Sequence, residues 1–279
     1  MLYLFKGRGK VISEPLAVLI SLMLYLSVRN KLLVVLGIVA FTAYPLLEAT
    51  LYRFVVELLL IEPETIVVDY VEILYLILVS ILLYSIRYFS KIGRIELVNK
   101  IYQIAQELVD SENKTLITGW LRAVFLELVF VVITLIQIFA VLVFSFYLNK
   151  NFGFLALLMV LVGLAFVGVV SAKEYLIQKK LRYNKILRKN KKGDIQIKSR
   201  VRASETVALF VNCIVMIWII LVFFLGHLDE MHGIDGLMMI LLIRYTGITF
   251  TSQASSVMRL VRGYVYSESQ IRQLLKLVG

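Results

Sequence analysis

An all-α integral membrane fold, with six transmembrane helices preceded by an interfacial elbow helix, is the architecture this sequence predicts. Three observations predict it. The 279 residues are 60% hydrophobic, with a mean hydropathy of +0.87. A soluble domain is about half apolar, and a water-soluble fold of this length has no interior large enough for the excess, so lipid is the expected solvent. The apolar residues gather in runs long enough to cross a bilayer as helices, which takes roughly 20 residues at about 1.5 Å each. The short alternating segments of an outer-membrane barrel are absent. Lysine and arginine, finally, concentrate in the links on one side of these runs, the asymmetry that sets orientation.

The first apolar run, PLAVLISLMLYLSV, lies between Lys10 and Glu14 on one side and Arg29 and Lys31 on the other. It is short for a span and reads as a helix in the cytoplasmic interface. A seventh span is the alternative, and would put the two ends of the chain on opposite sides. Residues 1–30 are therefore expected to form a cytoplasmic segment and elbow helix. The basic start MLYLFKGRGK precedes no small-x-small cleavage site and is expected to be retained. Residues 31–279 form the membrane domain, with spans at about 32–60, 67–88, 120–148, 152–172, 206–225 and 235–258 and a short cytoplasmic C-terminal helix.

Three short links, IEPETIV, NKN and GHLDEMHGID, carry Lys150 as their basic residue against Glu62, Glu64, Asp229, Glu230 and Asp235. The opposite links hold Lys91, Arg94, Lys100 and Lys114, the run from Lys173 to Arg202, and the tail with Arg259, Arg262, Arg272 and Lys276. Both termini are thus expected in the cytoplasm, in a multi-pass protein of the inner membrane. The net charge of +11 follows from this topology. The strongest basic stretch, with Lys179, Lys180, Arg182, Arg188, Lys189, Lys191 and Lys192, reads as a cytoplasmic surface against anionic lipid headgroups. No stacking pattern or module of a nucleic-acid binder accompanies it. Cys213 is the one cysteine, which excludes an intrachain disulfide.

Local stretches carry a family resemblance. AFTAYPLLEATLYRFVVELL, with a proline midway, is similar to the first span of ABC exporter membrane domains. LITGWLRAVFLELVFVVITLIQIFAVLVFSFYLNKNFGFLALLMVLVGLAF resembles their third and fourth spans, particularly in the peptide- and protein-secreting branch, where a threonine-glycine opening precedes an acidic residue, here Glu127. IDGLMMILLIRYTGITFTSQASSVMRLVRGYVYSESQIRQLL resembles the sixth span and its exit, with Ser267, Ile271, Leu274 and Leu275 on pattern and Gln270 where arginine is usual. The departures are as specific. The link FSKIGRIELVNKIYQIAQELVDSENKT lacks the family's aromatic pair, glycine-acidic turn and arginine, and the loop after the fourth span is similarly abbreviated. No GxxxxGK[ST] phosphate loop occurs in the 279 residues, nor a strand bearing a Mg²⁺-holding aspartate. The resemblance implies an exporter-type membrane domain without a nucleotide-binding domain, working as a homodimer or heterodimer around a shared cavity.

Candidate site residues follow from charge at membrane depth. Glu48 lies in the middle of the first span, one helical turn from Tyr44 and Tyr52. It reads as a protonatable carboxylate on a pathway, or as a carboxyl held by the two phenols. Glu127 and Gln137 lie in the third span with Thr134 between them, and Gln137 suits an interhelical hydrogen bond. Arg244 in the sixth span reads either as a partner of Glu48, Glu57 or Glu72, or as a snorkelling cation. Arg53 and Glu57 are one turn apart and suit mutual neutralisation. The histidines of HLDEMH match no metal-ligand spacing, and no Ser/His/Asp triad can be assembled, so neither metal, cofactor nor catalysis is expected. Gly168 and Ala172 form a small-xxx-small pair suited to close helix packing.

The expected function is binding or passage of a peptide or lipid-like substrate without an ATPase of its own, energised by protons through Glu48 or Glu127. Two alternatives stand beside it. One is a split transporter with a separate ATPase chain. The other is a non-transporting accessory or immunity subunit that binds a secreted peptide or an intact exporter.

Overall fold

A computed structural model describes residues 9–60, 70–110, 119–183, 192–227 and 233–278. Among these residues the chain is helical except at 25–27 and Asn149, and contains no strand. The helices are α1 (Gly9–Leu24), α2 (Val28–Leu60), α3 (Tyr70–Asp110), α4 (Gly119–Leu148), α5 (Lys150–Tyr183), α6 (Lys192–His227) and α7 (Gly233–Val278).

Three of them are long and apolar enough to cross a membrane among the described residues: Gly119–Tyr147 in α4, Lys150–Arg182 in α5 and Lys198–Leu221 in α6. Their outer faces give the reason. In the second half of α4, Thr134, Ile138 and Val141 are buried along one side, while Leu135, Phe139, Val143 and Tyr147 on the other side are exposed and apolar. Leu209, Met216, Ile220 and Phe224 do the same on α6. A helix apolar on every side is a core helix or a membrane helix, and these outer stripes have no protein over them among the described residues. The spans expected at 32–60 and 235–258 fall within α2 and α7, and residues 70–88 of the span expected at 67–88 fall within α3, while residues 67–69 lie outside the described residues; the side chains of these three helices are described only in part.

α7 is the axis of the bundle. It packs most extensively on α4 and α6, and also meets α1, α2 and α5, while α2 pairs with α3 and α5 with both α4 and α6. Close backbone approach makes this packing possible. A Cβ on Gly247 would lie 2.6 Å from Val215 Cγ2 of α6, and one on Gly263 would lie 2.7 Å from Val124 Cγ2 of α4. The small-xxx-small pair behaves otherwise. Ala172 is buried, but Gly168 faces open space, and it is Gly163 that presses on the Phe250 ring of α7 at 3.2 Å.

Helix α1 is an integral part of this core. Val11, Val18, Leu19 and Leu22 are buried along one face, while Ile20 and Leu24 point outward. α1 covers 16 residues, about 24 Å, and lies against α7, α4 and α3. Its carboxyl end is closed by Lys31, whose Nζ donates to the Leu24 carbonyl at 2.9 Å.

Two further details bear on the expected loops. The NKN link is a break of one residue: Asn149 caps α5, its Oδ1 accepting the Phe152 N–H at 3.1 Å. This is the usual side-chain cap on the third turn residue. The link after the second span is largely helix, because α3 runs unbroken through Asp110 on the buried stripe Val98, Ile101, Ala105 and Val109.

Candidate functional site

Polar residues interrupt the apolar interior on the two helices that pack most closely. Thr134, Gln137 and Ser145 of α4 and Thr246, Thr249, Gln253 and Ser256 of α7 are all buried. Most of the hydroxyls satisfy their own helix: Thr134 Oγ1 donates to the Phe130 carbonyl at 2.9 Å, Ser145 to Val141 at 2.8 Å and Thr246 to Leu242 at 2.8 Å. Such bonds satisfy a hydroxyl within its own helix, at a slight cost to the regularity of that helix. Gln253 differs, since its Oε1 is buried with no acceptor bond filled among the described residues. Beyond Ser145 and Thr246 the helices enclose a cavity of about 10 Å³ lined also by Phe152, Trp218, Met239 and Leu242, about the room one water needs.

The end of this polar strip nearer the start of α4 is an ion pair. Glu127 of α4 accepts from Arg259 of α7, at 2.5 Å from Nε and 3.2 Å from Nη2. This is a two-pronged contact that fixes both planes. Arg259 also donates to Ser255 Oγ at 3.1 Å and Ser256 Oγ at 3.0 Å. The guanidinium of Arg94 on α3 lies 4.9 Å from the Phe130 ring centre. Burial, assisted by Arg259, lowers its pKa from the ordinary value, against the pull of Glu127.

A second polar set joins α1 to the tail of α7. Tyr264 donates to Glu14 Oε2 at 2.6 Å, Arg272 Nε lies 3.6 Å from the same oxygen, and Arg272 Nη2 lies 2.8 Å from Glu268 Oε1. Burial first, and then Glu14, raise the Tyr264 phenol above its usual value, while Glu268 chiefly raises Arg272. Arg182 of α5 joins the set, donating to the Val265 carbonyl and lying 3.9 Å from Glu268.

A third set bridges α5 and α6. Glu174 and Gln178, one turn apart, are buried. Glu174 accepts from Gln178 Nε2 at 2.6 Å and from Ser199 Oγ of α6 at 2.6 Å, and Gln178 Oε1 is left without a donor among the described residues.

The residues expected from the sequence are distributed unevenly over these sets. Glu127 is in the first, tied to a partner that sequence reasoning did not name. Gln137 is buried at the α4 interior. Tyr44 is buried and Glu48, one turn on, is partly buried, whereas the side chain of Tyr52 lies outside the described residues. Arg244 is exposed, and the side chains of Arg53, Glu57 and Glu72 lie outside the described residues. Lys179 and Lys180 are exposed, with Lys179 Nζ 5.7 Å from the Tyr175 ring. Arg182 turns inward to α7, and Arg188, Lys189, Lys191 and the side chain of Lys192 are outside the described residues. Glu14, Glu174, Gln178, Tyr264 and Arg272 are polar partners that the sequence reading passed over. A signal existed for one pair: a carboxylate and an amide at i, i+4 in AKEYLIQKK, otherwise a basic stretch. No protein-family model matches the chain, and no curated protein matches it.

Proposed function

We propose that this chain is a membrane-embedded transport or binding subunit of the exporter type. In this reading it has six spans with both termini in the cytoplasm, pairs with a second exporter-type chain, and handles a peptide or lipid-like substrate. The observation that carries the reading is the polar strip on α4 and α7, ending at the Glu127–Arg259 pair, inside helices whose outer faces are apolar. Ionisable and amide groups at such depth are costly and mark a pathway or a binding site by default. Energy comes from a proton gradient through Glu48 or Glu127, or from a separate ATPase chain on the cytoplasmic helix ends.

The narrow interior favours a second reading. The cavity between α4, α5, α6 and α7 has about 10 Å³, room for a water and not for a peptide or lipid. A subunit that transports nothing, and instead holds an exporter or a secreted peptide, needs no substrate path. Purified protein in proteoliposomes separates the two. Uptake of labelled peptide that Glu48→Gln or Glu127→Gln reduces to the level of empty liposomes supports the transporter. Absence of flux together with co-purification of an intact exporter from native membranes supports the accessory subunit, and an ATPase recovered in equal amount supports the split transporter.

A further inference from the structure

The small cavity at the end of the bundle away from Glu127 brings together three polar side chains from three helices. Ser145 of α4, Trp218 of α6 and Thr246 of α7 all line it, and the other described residues in its wall are apolar. Ser145 stands about five helical turns beyond Glu127 on α4, so this site is separate from the Glu127–Arg259 pair.

The three side chains have complementary needs. Ser145 Oγ donates its hydrogen to the Val141 carbonyl at 2.8 Å, and Thr246 Oγ1 donates to the Leu242 carbonyl at 2.8 Å. Each hydroxyl has spent its one hydrogen and keeps lone pairs to accept with. Trp218 is the reverse case. Its indole Nε1–H can only donate, and it is buried with no partner among the described residues. A buried donor left unpaired is costly.

A single water answers all three. Its oxygen accepts from Trp218 Nε1–H, and its two hydrogens go to Ser145 Oγ and Thr246 Oγ1. That makes three hydrogen bonds, about the usual number for a buried water. The volume of about 10 Å³ is also of the right size. Other occupants fit less well. No ionisable side chain lines the cavity among the described residues, so an ion would be desolvated without a counter-charge. An apolar group would leave the indole N–H unpaired.

We infer that Ser145, Trp218 and Thr246 form a binding site for one internal water, which bridges α4, α6 and α7. The inference does not depend on the proposed function or on how the chain is oriented.

The test uses the full chain in detergent with isotope-labelled tryptophan. Trp120 and Trp218 are the two tryptophans, and Trp120→Phe tells their indole signals apart. In wild type the Trp218 Nε1–H is expected to show a direct nuclear Overhauser contact with a long-lived water. Ser145→Ala combined with Thr246→Val removes both acceptors and is expected to abolish that contact, because a buried water needs at least two partners. The indole proton should then shift upfield, as for a donor without an acceptor. Thr246→Ser keeps the hydroxyl and is expected to keep the contact, which separates loss of the water from loss of the fold. A wild-type Trp218 indole with no water contact, or a contact that survives the double substitution, overturns the inference. So does a Trp218 indole in contact with detergent chains, which would make the cavity an apolar opening.

Discussion

Single residues set the two junctions that tie α1 and α4 to α7. The Tyr264–Glu14 bond is a short hydrogen bond to a carboxylate, a class worth about 1.5–3 kcal/mol. Tyr264→Phe is expected to lower stability by about 1–2 kcal/mol, read as a lower thermal midpoint in detergent. The pH dependence has a definite sign. The phenol is raised above its ordinary 10.0, so the folded chain keeps a proton that the unfolded chain releases at high pH. The contribution is fully present below about pH 10 and is lost as pH rises above it. The gap between wild type and Tyr264→Phe should therefore be constant near neutrality and narrow in alkaline buffer; a gap that widens there removes the bond from the account. None of this was legible in the sequence. Glu14 and Tyr264 are 250 positions apart, and Glu127 and Arg259 are 132 apart. Spacing within one helix names neighbours, but partners on different helices depend on how the helices cross.

At the scale of elements, contact between helices is decided by a few glycines. Gly247→Ala and Gly263→Ala each drive a methyl into a valine of the facing helix, and overpacking of this kind costs about 1–3 kcal/mol. Gly168→Ala meets nothing within 4 Å and removes a poor helix former, so it should be neutral or stabilising by up to about 1 kcal/mol. Melting the three variants in one detergent checks the contrast, and a destabilised Gly168→Ala would mean that its face is covered. Sequence reasoning singled out Gly168 from its spacing with Ala172, but spacing places a residue on a face without saying whether another helix lies there. Other elements were more legible. The apolar runs gave α4, α5 and α6 because a segment apolar on all sides has few alternatives to a long helix. The buried stripe of α1 also follows helical spacing. What charge and length suggested as a surface helix is seated on α7 because that stripe fits there.

For the whole molecule, the exposed apolar faces lead to a simple expectation. Cys213 is the chain's single cysteine and is exposed within the Lys198–Leu221 segment of α6. In intact membranes a charged, membrane-impermeant maleimide is expected to leave Cys213 unlabelled from either side, and to label it after denaturation. Ready labelling in intact membranes would put this face in water. The overall class, helical with apolar spans, was readable from composition because lipid imposes it on nearly every residue. The order in which helices surround α7 was not, since lipid-facing and helix-facing positions are equally apolar.

The length of α7 has a mechanical consequence. Its 46 residues make a rod of about 69 Å, more than twice the roughly 30 Å of a hydrocarbon core. A rod pivoting near its middle behaves as a lever: a tilt of about 5° moves each tip by roughly 3 Å in opposite directions. The Glu14, Arg182 and Glu268 contacts grip one arm, so releasing them frees a displacement at the far arm without bending the helix. Spin labels at the two ends of α7, measured against α4 in wild type and in Tyr264→Phe, should shift together and with opposite sign. Movement of the near label alone would mean that the rod flexes between its arms.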